Sequence, residues 1–387
     1  MNDVIVLGLG GMGSAAAYHL ARRGRRVLGL EQFDPVHDRG SSHGETRMIR
    51  ECYSEHPSYV PLVQRAYENW RQLERDSGLE GILTITGGLY VGAPDSEIIA
   101  GARRSATEHG LRHEILDADE IRRRYPELRP DAADVGFFDF NTGFLRCETA
   151  VKAHLDGAAR HGAELRFRER IVEWSADERS VRVRTERGRY EAGHLIVAAG
   201  AWGPATARLP TVSLRPERRV LYWVQPGGGV DPFRLGRFPC FTWDLEGNDF
   251  LYGFPSVDGT TVKVAFMHAG GPCDPDTVDR TVSPEEMERI RAALRRHMPA
   301  MDGPVATAKT CMYTLTPDQH FVIGLHPEYS RVTLTLGFSG HGFKFASVVG
   351  EIAADLAEHG ATRHPIALFD PRRPELLNDS AGSPETT

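Results

Sequence analysis

The chain has 387 residues, 41% of them apolar, with 46 basic and 53 acidic side chains and a net charge of -7. At roughly 150 residues per domain this length suggests two or three domains, and the apolar content excludes disorder as the dominant state. Basic residues are interleaved with acids, as where Arg122-Arg123-Arg124 follows Asp117-Ala118-Asp119-Glu120, so no basic face for nucleic acid is expected.

Residues 3–7 read as a strand, followed by a turn carrying Gly8, Gly10, Met12 and Gly13 and an Ala-rich helix that stops at Gly24. Residues 26–31 supply a second strand, which makes the opening a βαβ unit. Tyr59, Leu62, Ala66, Trp70 and Leu73 recur at helical spacing and predict a helix over 57–79. Alternation predicts a strand over 82–91. Helices are expected at 95–109, 117–125 and 148–161, and strands at 164–174, 181–185 and 194–199. The stretch 213–268 is strand-rich, with strands at 220–224, 250–254 and 261–267. An amphipathic helix over 283–297 precedes strands at 307–313, 320–323 and 332–336, a glycine-rich turn, and a helix over 343–356. The polar tail 378–387 is expected to be disordered.

The pattern indicates an α/β fold in which a nucleotide-binding domain is assembled from separate pieces (1–80, 146–210 and 320–377). A mainly antiparallel β-sheet substrate domain (81–145 and 211–319) is inserted between them. No run approaches 18 apolar residues and no basic stretch precedes the first apolar run, so neither a spanning helix nor a signal peptide is expected. Cys52, Cys147, Cys240, Cys273 and Cys311 are odd in number and widely spaced, without a paired CxxC. That fits a reducing cytoplasm and gives no metal site.

Gly8-x-Gly10-x-x-Gly13 between strand and helix, with Glu31 at the end of the next strand, is a dinucleotide fingerprint in its full context. Glycines let the backbone approach a pyrophosphate, the helix N-terminus attracts it, and the acid accepts from ribose hydroxyls. A later strand ending Ala198-Ala199-Gly200 offers a second close approach, a layout that favours FAD over NAD.

Only four of the 46 basic residues are lysines: Lys152, Lys263, Lys309 and Lys344. Lys263 falls inside the apolar strand pattern Val262-Lys263-Val264-Ala265-Phe266, and Lys344 opens an apolar helix. A buried ammonium needs an anion or a functional reason; an edge-strand or helix-cap lysine with its head in water is the alternative. Cys311, in Lys309-Thr310-Cys311-Met312-Tyr313-Thr314, reads from chemistry alone as a small buried hydrophobe.

Four strings carry a more specific signal: Gly40-Ser41-Ser42-His43-Gly44-Glu45-Thr46-Arg47-Met48-Ile49-Arg50, Tyr252-Gly253-Phe254-Pro255-Ser256, the Cys311 string, and Gly337-Phe338-Ser339-Gly340-His341-Gly342-Phe343-Lys344-Phe345. With them the chain, from residue 3 to about 373, resembles the monomeric sarcosine oxidase and N-methyltryptophan oxidase family, within the glycine oxidase and D-amino-acid oxidase fold group. The resemblance implies an FAD-binding Rossmann-like domain and FAD held covalently through Cys311. It implies that Lys263 faces the flavin and activates O2, with Arg47, Thr46 and His43 close to the ring. Arg50 and Lys344 clamp the substrate carboxylate, and Tyr252 and Tyr313 line the cavity. Gly8, Gly10, Met12, Gly13, Glu31, Ser41, Gly340 and Lys344 are the further cofactor positions. The implied reaction takes an N-alkyl amino acid, O2 and water to a primary amino acid, formaldehyde and H2O2, in a cytoplasmic monomer. A cyclic imino acid (L-proline or pipecolate) or a larger N-methyl amino acid is the alternative substrate.

The sequence departs from the family pattern at one wall. The family histidine four residues after the strand lysine is replaced by Met267, and His268 follows. Alternation turns His268 to the opposite face unless a bulge intervenes. Trp243 is expected to reshape the cavity.

Overall fold

Strand Asn2–Leu7 lies between two parallel neighbours, Val27–Leu30 and Arg189–Val197, with Leu7 in register with both Leu30 and Val197. Its run Val4-Ile5-Val6-Leu7 is buried on both faces, which is why it is continuously apolar and not alternating. In this computed structural model, which describes residues 2–209, 212–245 and 249–377, the sheet continues outward through Val181–Thr185 and Ile171–Ala176 on one side and Glu164–Arg166 on the other. Val332–Leu336 pairs in parallel with Arg189–Val197 and carries Val322–Leu325 beyond it. The expected tail 378–387 lies outside the described residues.

Helices Gly11–Arg22, Cys147–Arg160 and Ala346–His359 pack together against this sheet. Small residues set their spacing: a Cβ placed on Gly350 would lie 2.5 Å from the backbone of Ala15. Among the described residues the second sheet has eight strands, all antiparallel except the pair Cys240–Leu245 and Gly88–Gly92. Period-two alternation divides its residues. Val220, Tyr222, Val224, Leu251, Val262 and Val264 pack on Ile290 and Leu294 of helix Pro284–His297. Ser283 and Glu286 close a reciprocal capping box at the start of that helix. Leu221, Trp223, Tyr252, Lys263, Ala265 and Cys311 share the opposite face. A small third sheet joins Thr46–Ile49, Gly143–Arg146 and Leu83–Ile85.

Several expected elements differ. The strand over 82–91 is two strands in different sheets, because Gly87 turns the chain with φ +72° between Leu83–Ile85 and Gly88–Gly92. The strand over 164–174 likewise breaks at Arg168, at φ +55°. Sequence reading missed His113–Asp117, Val135–Asp139, Gly143–Arg146 and Cys240–Leu245. Gly143–Arg146 is too short to display alternation, and His113–Asp117 is a half-exposed edge strand with polar ends.

Candidate active site between the sheets

The glycine turn is built by contact. Gly8 sits at φ +84°, and a Cβ there would lie 2.6 Å from the Ala198 carbonyl oxygen. A Cβ on Gly13 would fall 1.8 Å from the carbonyl oxygen of Gly8, so any side chain would push helix Gly11–Arg22 off the first strand. Glu31 closes the turn from the second strand, its carboxylate accepting from the backbone N–H of Leu9 at 2.8 Å and of Phe33 at 3.1 Å. Burial would raise its pKa, but His37 and these two N–H groups hold it below the usual carboxylate value.

From this turn a cavity of about 600 Å³ runs to the face of the second sheet. Gly8, Gly10, Met12, Glu31 and Ser41 line it, together with Arg47, Arg50, Tyr252, Met267, Tyr313, Gly340 and Lys344. A backbone cradle without Cβ atoms, a fixed carboxylate and a long groove suit a dinucleotide, so the residues present fit FAD. Gly340, at φ +85°, lets the chain pass the ring of Tyr313, which a Cβ would meet at 2.5 Å.

Gly13, His43, Thr46, Lys263 and Cys311 are not among the lining residues; the last four adjoin the cavity through Arg47 and the 44–46 turn. Arg47, on strand Thr46–Ile49, donates to the carbonyl oxygens of Ser41 and Thr46 at 2.9 Å and approaches the Cys311 sulfur at 3.4 Å. Lys263 is 3% exposed and donates to the carbonyl oxygens of Gly44 and Thr46 at 2.5 and 2.6 Å. That turn is held by Glu148, which accepts from the N–H groups of Gly44 and Glu45, both at positive φ. Burial, reinforced by Arg47, lowers the Lys263 pKa to about 7. His43 is buried with neither ring nitrogen partnered, and burial and Arg47 lower its pKa to about 3, leaving a neutral imidazole.

Arg50 and Lys344 meet from opposite ends of the sequence. Arg50 donates to Ser54 Oγ at 2.6 Å and to Glu55 Oε1 at 2.5 Å. Lys344 is 5% exposed, its ammonium donates to the His341 carbonyl oxygen at 2.7 Å, and its own carbonyl accepts from Trp70 Nε1 at 2.8 Å. Helix Val60–Ser77 thereby fixes the lysine's backbone. Burial and the neighbouring Arg50 lower the Lys344 pKa to about 7, against the opposing effect of Glu55. Glu55 escaped sequence reading because it lies in an irregular segment without periodicity; its only signal is an acid five residues after Arg50.

The departing wall is resolved differently from expectation. Strand Val262–Phe266 ends before Met267, so alternation no longer governs, and both Met267 and His268 line the cavity. His268 sits against Phe250 at 5.3 Å between ring centroids. Trp243 does not reshape the cavity. It shares the apolar face of strand Cys240–Leu245 with Phe241, is 1% exposed, and packs on His297, while Thr242 faces the site.

Comparison with known proteins finds relatives over nearly the whole chain. The chain is 52% identical over 375 residues to a monomeric sarcosine oxidase of Streptomyces avermitilis, covering 96% of this chain and 97% of that protein. It is 36% identical over 359 residues to an N-methyl-L-tryptophan oxidase of Escherichia coli, covering 92% and 95%. Among solved structures it matches NikD, described as an unusual amino acid oxidase essential for nikkomycin biosynthesis, with a TM-score of 0.84, 26% identity and coverage of 96% and 97%. The model of the FAD dependent oxidoreductase (DAO) family matches residues 3–356, and the chain belongs to that family.

Proposed function

We propose that this flavoenzyme oxidises sarcosine or a related N-methyl amino acid, with O2 and water, to the primary amino acid, formaldehyde and H2O2. The observation that carries the reading is the pair of buried cations, Arg50 and Lys344, in the same cavity as the glycine turn. Two buried cations lining one cavity, both over the Tyr53 ring, suit a carboxylate and orient the amino acid by the end that does not react. FAD, when bound, supplies the two-electron exchange between the substrate C–N bond and O2. Tyr252 and Tyr313, whose hydroxyls lie 3.3 Å apart, wall the amine end and exclude water. Lys263 holds a positive charge beside the cavity wall for the reduction of O2. Arg47, Thr46 and His43 surround the same corner, and no carboxylate is needed as a general base.

Cys311 is the proposed covalent anchor for FAD. Support comes from its place on the cavity-side face of strand Val305–Leu315, beside Arg47 and two residues from Tyr313. The division into a cofactor part (1–80, 146–210, 320–377) and a substrate part (81–145, 211–319) belongs to this reading. So do a monomeric state and a cytoplasmic location; among the described residues no helix is long and apolar enough to cross a membrane. Phe250, Met267 and His268 on the wall favour a second reading in which the substrate is a larger N-methyl amino acid or a cyclic imino acid.

An oxygen-uptake screen over sarcosine, larger N-methyl amino acids, L-proline and pipecolate tests the function. Formaldehyde appears only from N-demethylation, and O2 consumption without it rejects that reaction. Acid precipitation tests the anchor: flavin stays with the pelleted protein, and moves to the supernatant in Cys311→Ala. Flavin in the supernatant of the unmodified, cofactor-loaded protein refutes the covalent link.

A further inference from the structure

The two cations of the carboxylate site have a common floor. Tyr53 is fully buried, with the Arg50 guanidinium carbon 4.5 Å and the Lys344 nitrogen 5.3 Å from its ring centroid. Below and beside it the ring is closed in by Tyr59, stacked at 4.6 Å, and by Phe345, edge-on at 5.3 Å. Its hydroxyl meets His341 Nδ1 at 2.5 Å. The other nitrogen of that imidazole, Nε2, lies 3.0 Å from the carbonyl oxygen of Gln319. A carbonyl only accepts, so Nε2 carries the hydrogen, Nδ1 is the acceptor, and Tyr53 donates. Burial keeps this histidine neutral, with its pKa lowered to about 4, and the tautomer is thereby fixed. One residue therefore holds two parts of the site: the His341 ring pins Tyr53, and the His341 carbonyl takes the Lys344 ammonium.

We infer that Tyr53, locked by His341, is the positioning residue of the carboxylate site, its ring face setting the separation and height of Arg50 and Lys344. Glu55 neutralises part of the Arg50 charge, and the ring quadrupole facing both cations lowers the repulsion that remains between them. This rests on the reading of Arg50 and Lys344 as the carboxylate clamp.

The test uses the FAD-loaded enzyme and two probes, sarcosine turnover and acetate binding followed by the flavin absorbance. Tyr53→Leu removes the ring face and is expected to raise KM for sarcosine and Kd for acetate about tenfold or more, with kcat at saturation within about threefold. Tyr53→Phe and His341→Leu delete the same hydrogen bond and leave the Tyr53 ring. Each is expected to raise both constants about threefold, and the double variant no further. Constants for Tyr53→Leu within twofold of the parent enzyme, or effects of Tyr53→Phe and His341→Leu that multiply, overturn the inference. If Tyr53→Leu does not fold, the second pair decides alone. Arg50→Met separates the two levels: if it leaves both constants unchanged, the clamp itself is wrong. If it raises them while Tyr53→Leu does not, only the role of Tyr53 falls.

Discussion

Replacing Lys263 with Met keeps the length of the side chain and deletes the charge. In the structure this ammonium is held by two carbonyl oxygens and the Thr46 hydroxyl, with no carboxylate among the described residues bonded to it, and burial lowers its pKa from the usual 10.5 to about 7. That displacement corresponds to roughly 5 kcal/mol of cost for the charged form. The sign follows directly. Below pH 7 the ammonium is charged in the native state and the whole cost is present; it is relieved as pH rises from about 7 to 10.5, where the unfolded chain still binds the proton and the native one does not. If the charge assists O2 reduction, the parent enzyme's reaction with O2 slows about tenfold between pH 7 and pH 8.5, while Lys263→Met is flat over that range. At pH 6 the loss of one preorganised cation slows the variant by about 10²–10³. Stopped-flow mixing of anaerobically reduced enzyme with O2 measures this step, and anaerobic reduction by substrate serves as control. O2 rates within threefold of the parent at pH 6, or an equal loss in the anaerobic reaction, refute the reasoning.

Three further outcomes follow from the geometry. Arg50→Met removes one of the two proposed charge-assisted partners of the substrate carboxylate, at about 1.5–3 kcal/mol, so KM rises about 10- to 100-fold with a smaller change in kcat, read by steady-state O2 uptake. Acetate, which carries the carboxylate without the amine, binds more weakly as pH rises through about 7 because Lys344 loses its proton there, and flavin-monitored titration at pH 6 and 8.5 shows it. Gly13→Ala forces a Cβ to within 1.8 Å of the Gly8 carbonyl oxygen, and the purified variant carries little flavin by its absorbance near 450 nm.

The parts of the site that were legible in the sequence are those where a residue type violates its neighbourhood. Gly8, Gly10 and Gly13 interrupt an otherwise regular strand–helix junction, and Lys263 interrupts an apolar strand; both are visible without coordinates. Tyr53 was invisible for the opposite reason, since a buried tyrosine in an irregular segment looks like any core aromatic. The wall at Met267 and His268 was misjudged because alternation was extended past the strand's end at Phe266. The strand 82–91 was misjudged because the positive φ of Gly87 leaves no trace in hydrophobic period. Pairing between sheets, which brings Arg50 to Lys344 across nearly the whole chain, is written in contacts and not in any local pattern.

The register of the first strand also dictates a timetable for synthesis. Asn2–Leu7 is made long before one of its two neighbours, Arg189–Val197, and that strand in turn waits for Val332–Leu336. At about 5–20 residues per second, an apolar strand with an unpaired edge stays open for roughly 10–40 s on the ribosome. The glycine turn is thus made early relative to its partners and is among the last pieces completed. Assembly of the cofactor groove becomes a late event in the life of the chain, and the interval before it is when an exposed strand edge is most open to pairing with another nascent copy.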